Sequence, residues 1–500
     1  MRDKYIELIR EYIKAKPEYK TTLNEIKADV LTVGATEEEF DEAIRQITGA
    51  DTSKLILEEP EEQTEKKPLI DPSSKAAKFA NHAKHHIVAK KKHLAVTAAL
   101  IIIALIVVVG LGGRGVPKIA INTSSVKIPI TADGAIPLVY ANIKTVDPNK
   151  IFPGTTKTTP LKVSGKSKKE ILGFFPYWML PKADDVDLAT LTSISLFGLE
   201  VDGKGNIVTN GTNDDTTGGW GMWKDPKLDD FIAKAKDQNI SVYLTLKCFD
   251  SGNIESIALS DTAQKNLIDN AMYLVNSKDL KGINIDFEYV GSPTQKVIDG
   301  FTKFITGLNT EMKRQIPDSV LTIDTYLVSG SEQDIFNIPA IAKNSDAFVI
   351  MGYDMHTPLG AAGPVAAMGG DTNIVTYVDN YLKQVDASKL ILAVPYYGYD
   401  WPQTESTPSA DMVKILPYAE IADQSQNLQL SWDATSETPF FTYTENGQQR
   451  IVHYDNIRSL GIKYDFINNE NLRGVGIWAL GYDGQNQDLE QLLIDKFINQ

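Results

Sequence analysis

Along the 500 residues the apolar positions change rhythm three times. In residues 1–50 they recur at helical spacing. Tyr5, Ile6, Ile9, Tyr12 and Ile13 stop at Pro17, and Leu23, Ile26, Val30 and Val33 run to Gly34. Thr36 with Glu39 makes a capping box ahead of Phe40, Ala43, Ile44 and Ile47. The pattern predicts a small three-helix module, near the lower size limit for independent folding. Residues 51–92 lose the rhythm, rich first in Glu and then in Lys, and read as a charged tether.

The second rhythm is no alternation at all. Leu94–Leu111 (LAVTAALIIIALIVVVGL) carries no charge, and Thr97 is its one strongly polar group. Eighteen helical residues extend about 27 Å, close to the thickness of a hydrocarbon core. A buried soluble helix rarely lacks a polar face for so long, so the run predicts one transmembrane helix over 93–113. Gly110, Gly112 and Gly115 imitate a dinucleotide-binding GxGxxG. They run into Val116-Pro117, where no helix can begin as that motif requires, and read as a membrane exit.

The third rhythm begins near Glu170, after a Thr/Ser/Pro/Lys-rich stretch over 114–168 that fits a stalk or a small β unit. Strand-like runs appear at 171–175, 191–198, 240–246, 282–290, 320–327, 347–354, 390–397 and 474–481. Amphipathic stretches at 262–277, 293–316 and 372–385 separate several of them. Eight such alternations predict an α/β fold, a (β/α)8 TIM barrel over 169–498, with a doubly wound sheet as the alternative. The segment 401–470 is too long for one helix and predicts a small α+β insertion before the last strand, with strands at 440–444 and 449–455.

Charge sharpens this layout. The chain carries a formal net charge of −15, which argues against nucleic acid as a partner. Residues 1–92 hold 17 basic and 18 acidic side chains, and residues 93–500 hold 33 and 47. Six lysines (Lys75, Lys78, Lys84, Lys90, Lys91 and Lys92) precede the apolar run without an acid among them, whereas Arg114 and Lys118 alone follow closely. The positive-inside rule then places the N-terminus in the cytoplasm and the barrel outside, as a single-pass membrane protein. One cysteine, Cys248, excludes an intrachain disulfide or a Cys-rich zinc site, and no HExxH occurs. Neither a metal nor a cofactor is expected.

The sharpest chemical signal lies on the fourth strand. Asn284, Asp286 and Glu288 are spaced by two and share one face, while Ile283, Ile285 and Phe287 share the other. With the apolar face against helices, the polar triplet aims into the barrel, at the strand end where such barrels hold their sites. Two enclosed carboxyls are costly unless paired or useful. Burial and the neighbouring Asp286 raise the Glu288 pKa, which suits a general acid.

These residues carry a family resemblance. GINIDFE resembles the DGxDxDxE signature of glycoside hydrolase family 18, the chitinase-like enzymes, matching at Gly282, Asp286 and Glu288 and departing at Lys281 and Asn284. MGYD (351–354) is similar to the family's MxYD, and Trp478 in GIWALG resembles its strand-eight tryptophan. The combination GFFPYW, INIDFEYV, MGYDMH…GPVA, VPYYGYDW and GVGIWALG is similar to the bacterial spore-germination, cortex-lytic type, which acts on peptidoglycan. The SxGG of typical chitinases is missing, and Thr245-Leu-Lys-Cys248 stands there instead, which weakens a polymeric-chitin reading more than it weakens glycosidase chemistry; peptidoglycan is the favoured glycan on the combined motifs.

The resemblance implies a retaining, substrate-assisted hydrolysis of β-1,4 bonds in N-acetylglucosamine-containing glycans. Glu288 is implied as the general acid/base, Asp286 as the partner of the acetamido N–H, and Tyr353 as donor to the acetamido oxygen. Asn284 completes the catalytic set. Asp354, Met351 and Trp478 are implied to line the sugar site, Trp478 as its floor. Phe175, Tyr177, Tyr326 and Tyr397, at or just past strand ends, are expected to line further subsites. The expected partners are thus an acetamido-sugar polymer and a membrane; the chain does not say what residues 1–50 bind. The rival reading is an inactive, lectin-like barrel that anchors a cytoplasmic module to the cell wall, and the presence of Glu288 speaks against it.

Overall fold

In a computed structural model the described residues are 146–152, 161, 163–209, 218–330, 334–404 and 412–499. The predicted helical module, the tether, the membrane span and the glycine decoy all lie outside them. Among the described residues, no helix is long and apolar enough to cross a membrane.

The strands are β1 (Glu170–Pro176), β2 (Ser193–Glu200), β3 (Ser241–Cys248), β4 (Gly282–Phe287), β5 (Val320–Tyr326), β6 (Ala347–Met351), β7 (Leu390–Pro395), β8 (Tyr397–Pro402), β9 (Lys414–Pro417), β10 (Ser431–Asp433), β11 (Thr438–Glu445), β12 (Gln448–His453) and β13 (Gly474–Trp478). β1 to β7 and β13 close into a barrel in the order β1-β13-β7-β6-β5-β4-β3-β2, parallel at every pairing. All eight strand-like runs of the sequence therefore supply a barrel strand, and the doubly wound alternative is excluded.

The helices include α1 (Pro226–Asp237), α2 (Ser251–Leu259), α3 (Asp261–Ser277), α4 (Gln295–Gln315), α5 (Ile374–Leu382), α6 (Tyr418–Ser425), α7 (Ile457–Asn469) and α8 (Asp488–Leu493), all but α6 packed about the barrel. Local chemistry sets their starts. Asp225 caps α1 with Pro226 in its first turn, Ser260 caps α3, and Asn456 with Ser459 forms a capping box on α7. α4 buries Val297, Ile298, Phe301, Phe304, Ile305, Leu308 and Met312, a single stripe at helical spacing. That stripe meets the outward face of β4, where the Phe287 ring lies 6.0 Å from both Phe301 and Phe304.

The register sorts side chains by parity. Partners across parallel strands point to the same side, so Ser195, Thr245, Asn284, Thr322 and Asp324 all face inward. The middle of this barrel is polar. Below it, Glu170 accepts from Ser193 Oγ at 2.7 Å and from Arg473 Nε at 2.6 Å, tying β1, β2 and the entry to β13. Gly282 is required by close approach: a Cβ there would strike the Val320 carbonyl and come within 2.9 Å of the Tyr243 ring.

Two boundaries differ from the sequence expectation. The insertion is a five-stranded antiparallel sheet, β10-β11-β12-β8-β9, with α6 beside it, and it begins at Tyr397 rather than 401. The continuous run LILAVPYY hides the break, because Pro395 ends β7 and the chain turns directly into β8. The expected strands at 440–444 and 449–455 fall on β11 and β12, and 457–469 is the barrel helix α7. Within the expected stalk, Val146, Ile151 and Phe152 are buried in the barrel's core cluster. A single helical turn, Pro148–Ile151, thus belongs to the barrel's packing, since three apolar side chains find their burial there.

Candidate active site

The site is built on the C-terminal ends of the barrel strands. Asn284 and Asp286 face inward on β4, and Glu288 follows directly after it, its amide donating to Cys248 O at 2.9 Å. That bond continues the ladder past the strand and keeps Glu288 in the inward series. All three are buried, with Asp286 3% and Glu288 1% exposed. Neither carboxyl oxygen of Glu288, nor Oδ1 of Asp286, has a hydrogen-bond partner among the described residues. A buried, unsatisfied carboxyl on a barrel's active face is a group held ready for a substrate.

Asn284 spends its amide differently. Nδ2 donates to Asp324 Oδ1 at 2.7 Å and to Thr322 Oγ1 at 3.0 Å, both on β5. Asp324 is therefore a member of the cluster that sequence reasoning missed. The signal was available: Thr322, Asp324 and Tyr326 alternate with Leu321, Ile323 and Thr325, just as the triplet alternates on β4.

From β6 the chain delivers Met351 to the strand end, then Tyr353 and Asp354. Tyr353 is buried, and its ring meets Tyr397 edge-on at 6.1 Å. Asp354 adopts φ 57°, a left-handed conformation that costs a non-glycine residue about 1–2 kcal/mol. Two hydroxyls hold it there: Tyr397 and Tyr399 both donate to Oδ1, Tyr399 at 2.7 Å. Tyr399 is a second residue that the sequence reading passed over, although it lies in the quoted run VPYYGYDW. Tyr397, expected to line a subsite, is buried, and its hydroxyl is spent on Asp354.

Opposite lies an aromatic wall. Trp478 ends β13, with the Phe197 ring 4.6 Å away and edge-on, Phe174 at 5.8 Å and Trp178 at 6.4 Å. Tyr177 stands edge-on to Trp178 at 4.8 Å, so it reaches the wall through that ring. Phe175 does not belong here. Its ring stacks on Phe231 of α1 at 4.1 Å and has no exposure, because parity turns Phe174 inward and Phe175 towards the helices. Tyr326 does face the cluster, and its buried hydroxyl lacks a hydrogen-bond partner among the described residues.

Electrostatics follow from crowding. Burial, then the charges of Asp286, Asp324 and Asp354, push Glu288 well above the usual carboxylate range. Burial, then Asp286, does the same to Asp324. Asp286 is pushed up by burial to about 7, with the Lys247 charge opposing the rise. Burial raises Asp354 to about 6, while its two tyrosine hydrogen bonds pull it back. Four carboxyls in one low-dielectric space cannot all ionise, so the cluster holds both protonated acids and a carboxylate near neutrality. That is the endowment of an acid/base pair. Among the described residues no group of His, Cys, Asp and Glu has a geometry able to hold a metal ion. Cys248 is buried with its thiol pushed up to about 12 by burial, an inert packed side chain.

Comparison with known proteins bears on the family. The family described as Glycosyl hydrolases family 18 matches residues 170–483. Human di-N-acetylchitobiase is 26% identical over 280 residues, covering 48% of this chain and 72% of that protein. The cortical fragment-lytic enzyme of Bacillus subtilis (strain 168) is 25% identical over 285 residues, covering 54% of this chain and 64% of the enzyme. Matches thus span roughly half to three quarters of the length of such curated relatives. Among solved structures, the spore cortex-lytic enzyme SleL of Bacillus megaterium QM B1551 aligns with TM-score 0.53 at 18% identity, covering 72% of this chain and 84% of that one. The Group IV chitinase of Ostrinia furnacalis in complex with allosamidin aligns with TM-score 0.56 at 19% identity, covering 65% and 98%. At these identities the structural likeness speaks for the fold alone, and the family match carries the assignment. The chain belongs to the glycosyl hydrolases of family 18, and its barrel is a glycosidase domain of that family.

Proposed function

We propose that this protein is a membrane-anchored, outward-facing glycosidase that cleaves β-1,4 bonds of N-acetylglucosamine-containing glycans, peptidoglycan in preference to chitin. The observation that carries the chemistry is Glu288: buried, its pKa raised by that burial and then by three neighbouring carboxyls, and with both oxygens unpartnered among the described residues. Such a group donates a proton to a glycosidic oxygen and later removes one from water. No second carboxylate need attack the sugar if the substrate's own acetamido oxygen does so, with retention. Asp286 then accepts from the acetamido N–H and stabilises the positive charge as it develops. Tyr353 donates to the acetamido oxygen, Asp354 binds the same sugar, and Trp478 lies under its apolar face.

The preference for peptidoglycan rests on the combined motifs, on the cortical fragment-lytic relative and on Thr245-Leu-Lys-Cys248 in place of the SxGG of typical chitinases. The anchor rests on Leu94–Leu111 and the lysines ahead of it. Incubation of the full chain with purified peptidoglycan and with chitin oligomers tests this reading. The expected products end in reducing N-acetylglucosamine, released first as the β anomer, and form faster from peptidoglycan. Reducing muramic acid ends, or the α anomer first, would overturn it.

A further inference from the structure

One charge at the site has no role in the chemistry described so far. Lys247 stands on the inward face of β3, directly in register with Asp286 on β4, and is almost fully buried. Its Nζ lies 4.9 Å from the Phe249 ring centre and 5.8 Å from that of Phe197, the ring that meets Trp478. The ion pair that it makes with Glu200 is long, at 3.9 Å, and the Glu200 side chain is 60% exposed. Two ring faces and the Glu200 carboxylate thus hold the ammonium beside a cluster of buried acids, where its field reaches them.

We propose that Lys247 is a positioning residue for the acid pair: from the neighbouring strand its ammonium holds Asp286 as the ionised member, leaving Glu288 as the protonated one. This rests on the acid/base assignment above. The logic is that of like charges competing for one site. Around Lys247 the titratable groups are Glu200 on β2, Cys248 beside it, Asp250 just beyond β3, Asp286 and Glu288 at β4, Asp324 and Tyr326 on β5, and Tyr353 and Asp354 after β6. With four inward carboxyls, whichever lies closest to a cation ionises first. Register sets Asp286 beside Lys247 across the β3–β4 pair, on the same inward face. The Lys247 charge opposes the burial of Asp286, and among the influences on Glu288 it ranks behind three carboxylates that push the other way. A strand-three lysine thus separates two acids that would otherwise share one proton.

The test is the pH dependence of kcat/KM for the full chain on its preferred glycan, together with infrared titration of Asp286, assigned by difference against Asp286→Asn. Lys247→Met should move the acidic limb and the Asp286 titration up by about one pH unit, and Lys247→Arg should restore both. Glu200→Gln removes the competing negative charge and should move both slightly down, a sign that no packing defect reproduces. Should Lys247→Met not fold, Glu200→Gln and Lys247→Arg still decide the matter. A uniform loss of rate with unmoved limbs, or an Asp286 titration unaffected by Glu200→Gln, would overturn the proposal. Failure of the acid/base assignment itself would show separately, as full turnover by Glu288→Gln, and the infrared titration would still report on Lys247.

Discussion

Glu288 is the residue on which sequence and chemistry meet, and its burial has two measurable consequences. The first concerns stability. Its pKa is raised in the fold and ordinary in the unfolded chain, so the native state binds the extra proton. Its contribution is complete below about pH 4, the unfolded value, and is lost progressively as pH rises towards the folded value. Glu288→Gln cannot ionise, so it should melt higher than wild type, by a margin that widens from pH 5 to pH 8; thermal melts across that range check this, and a constant or inverted margin would refute it. The second concerns rate. With Asp286 at about 7, kcat/KM should fall as pH drops below neutrality, because a protonated Asp286 no longer stabilises a developing cation. A flat profile from pH 5 to pH 8 would count against that role. At this scale the sequence was informative where side-chain parity is simple: the β4 triplet was legible from spacing alone. It misled at Phe175, where adjacent aromatic residues at 174 and 175 share composition but not direction. For Asp324 the alternation on β5 marked an inward face but not its neighbour, and for Tyr399 nothing marked its place, because both depend on which strand lies beside which.

The elements that support this site were legible in proportion to their periodicity. All eight barrel strands and the helices α3, α4 and α5 follow from alternating and helical patterns, because each buries one face. The insertion was less legible, since LILAVPYY runs through the end of β7 into β8 and leaves no polar gap to mark the junction. Its return to the barrel is secured by charge instead. Asp455, just past β12, meets Lys463 of α7 at 2.6 Å, with neither side chain exposed. Lys463→Met removes one partner and leaves a buried carboxylate, at a cost of about 3–5 kcal/mol. Denaturant unfolding should register that loss while the pH optimum of activity stays in place. The Asp455→Asn, Lys463→Met pair should recover much of it, and full additivity of the two changes would contradict a coupled ion pair.

For the whole molecule, charge placement rather than total charge carries the information. A formal charge of −15 says little until it is divided at residue 92, where a nearly neutral segment ends in lysines and an acidic barrel lies beyond an apolar run. On the proposed topology the protein should sediment with membranes. Protease added to intact cells stripped of their wall should remove the barrel and leave residues 1–50 protected; the opposite pattern would reverse the orientation. All of this serves one claim, that an outward-facing barrel cleaves acetamido glycans through Glu288. The most direct measurement is release of reducing ends from purified peptidoglycan by the full chain beside its Glu288→Gln variant. Removal of the general acid/base should lower kcat by about 10²–10⁴-fold while the variant still binds the glycan; equal turnover by the two proteins would contradict the account.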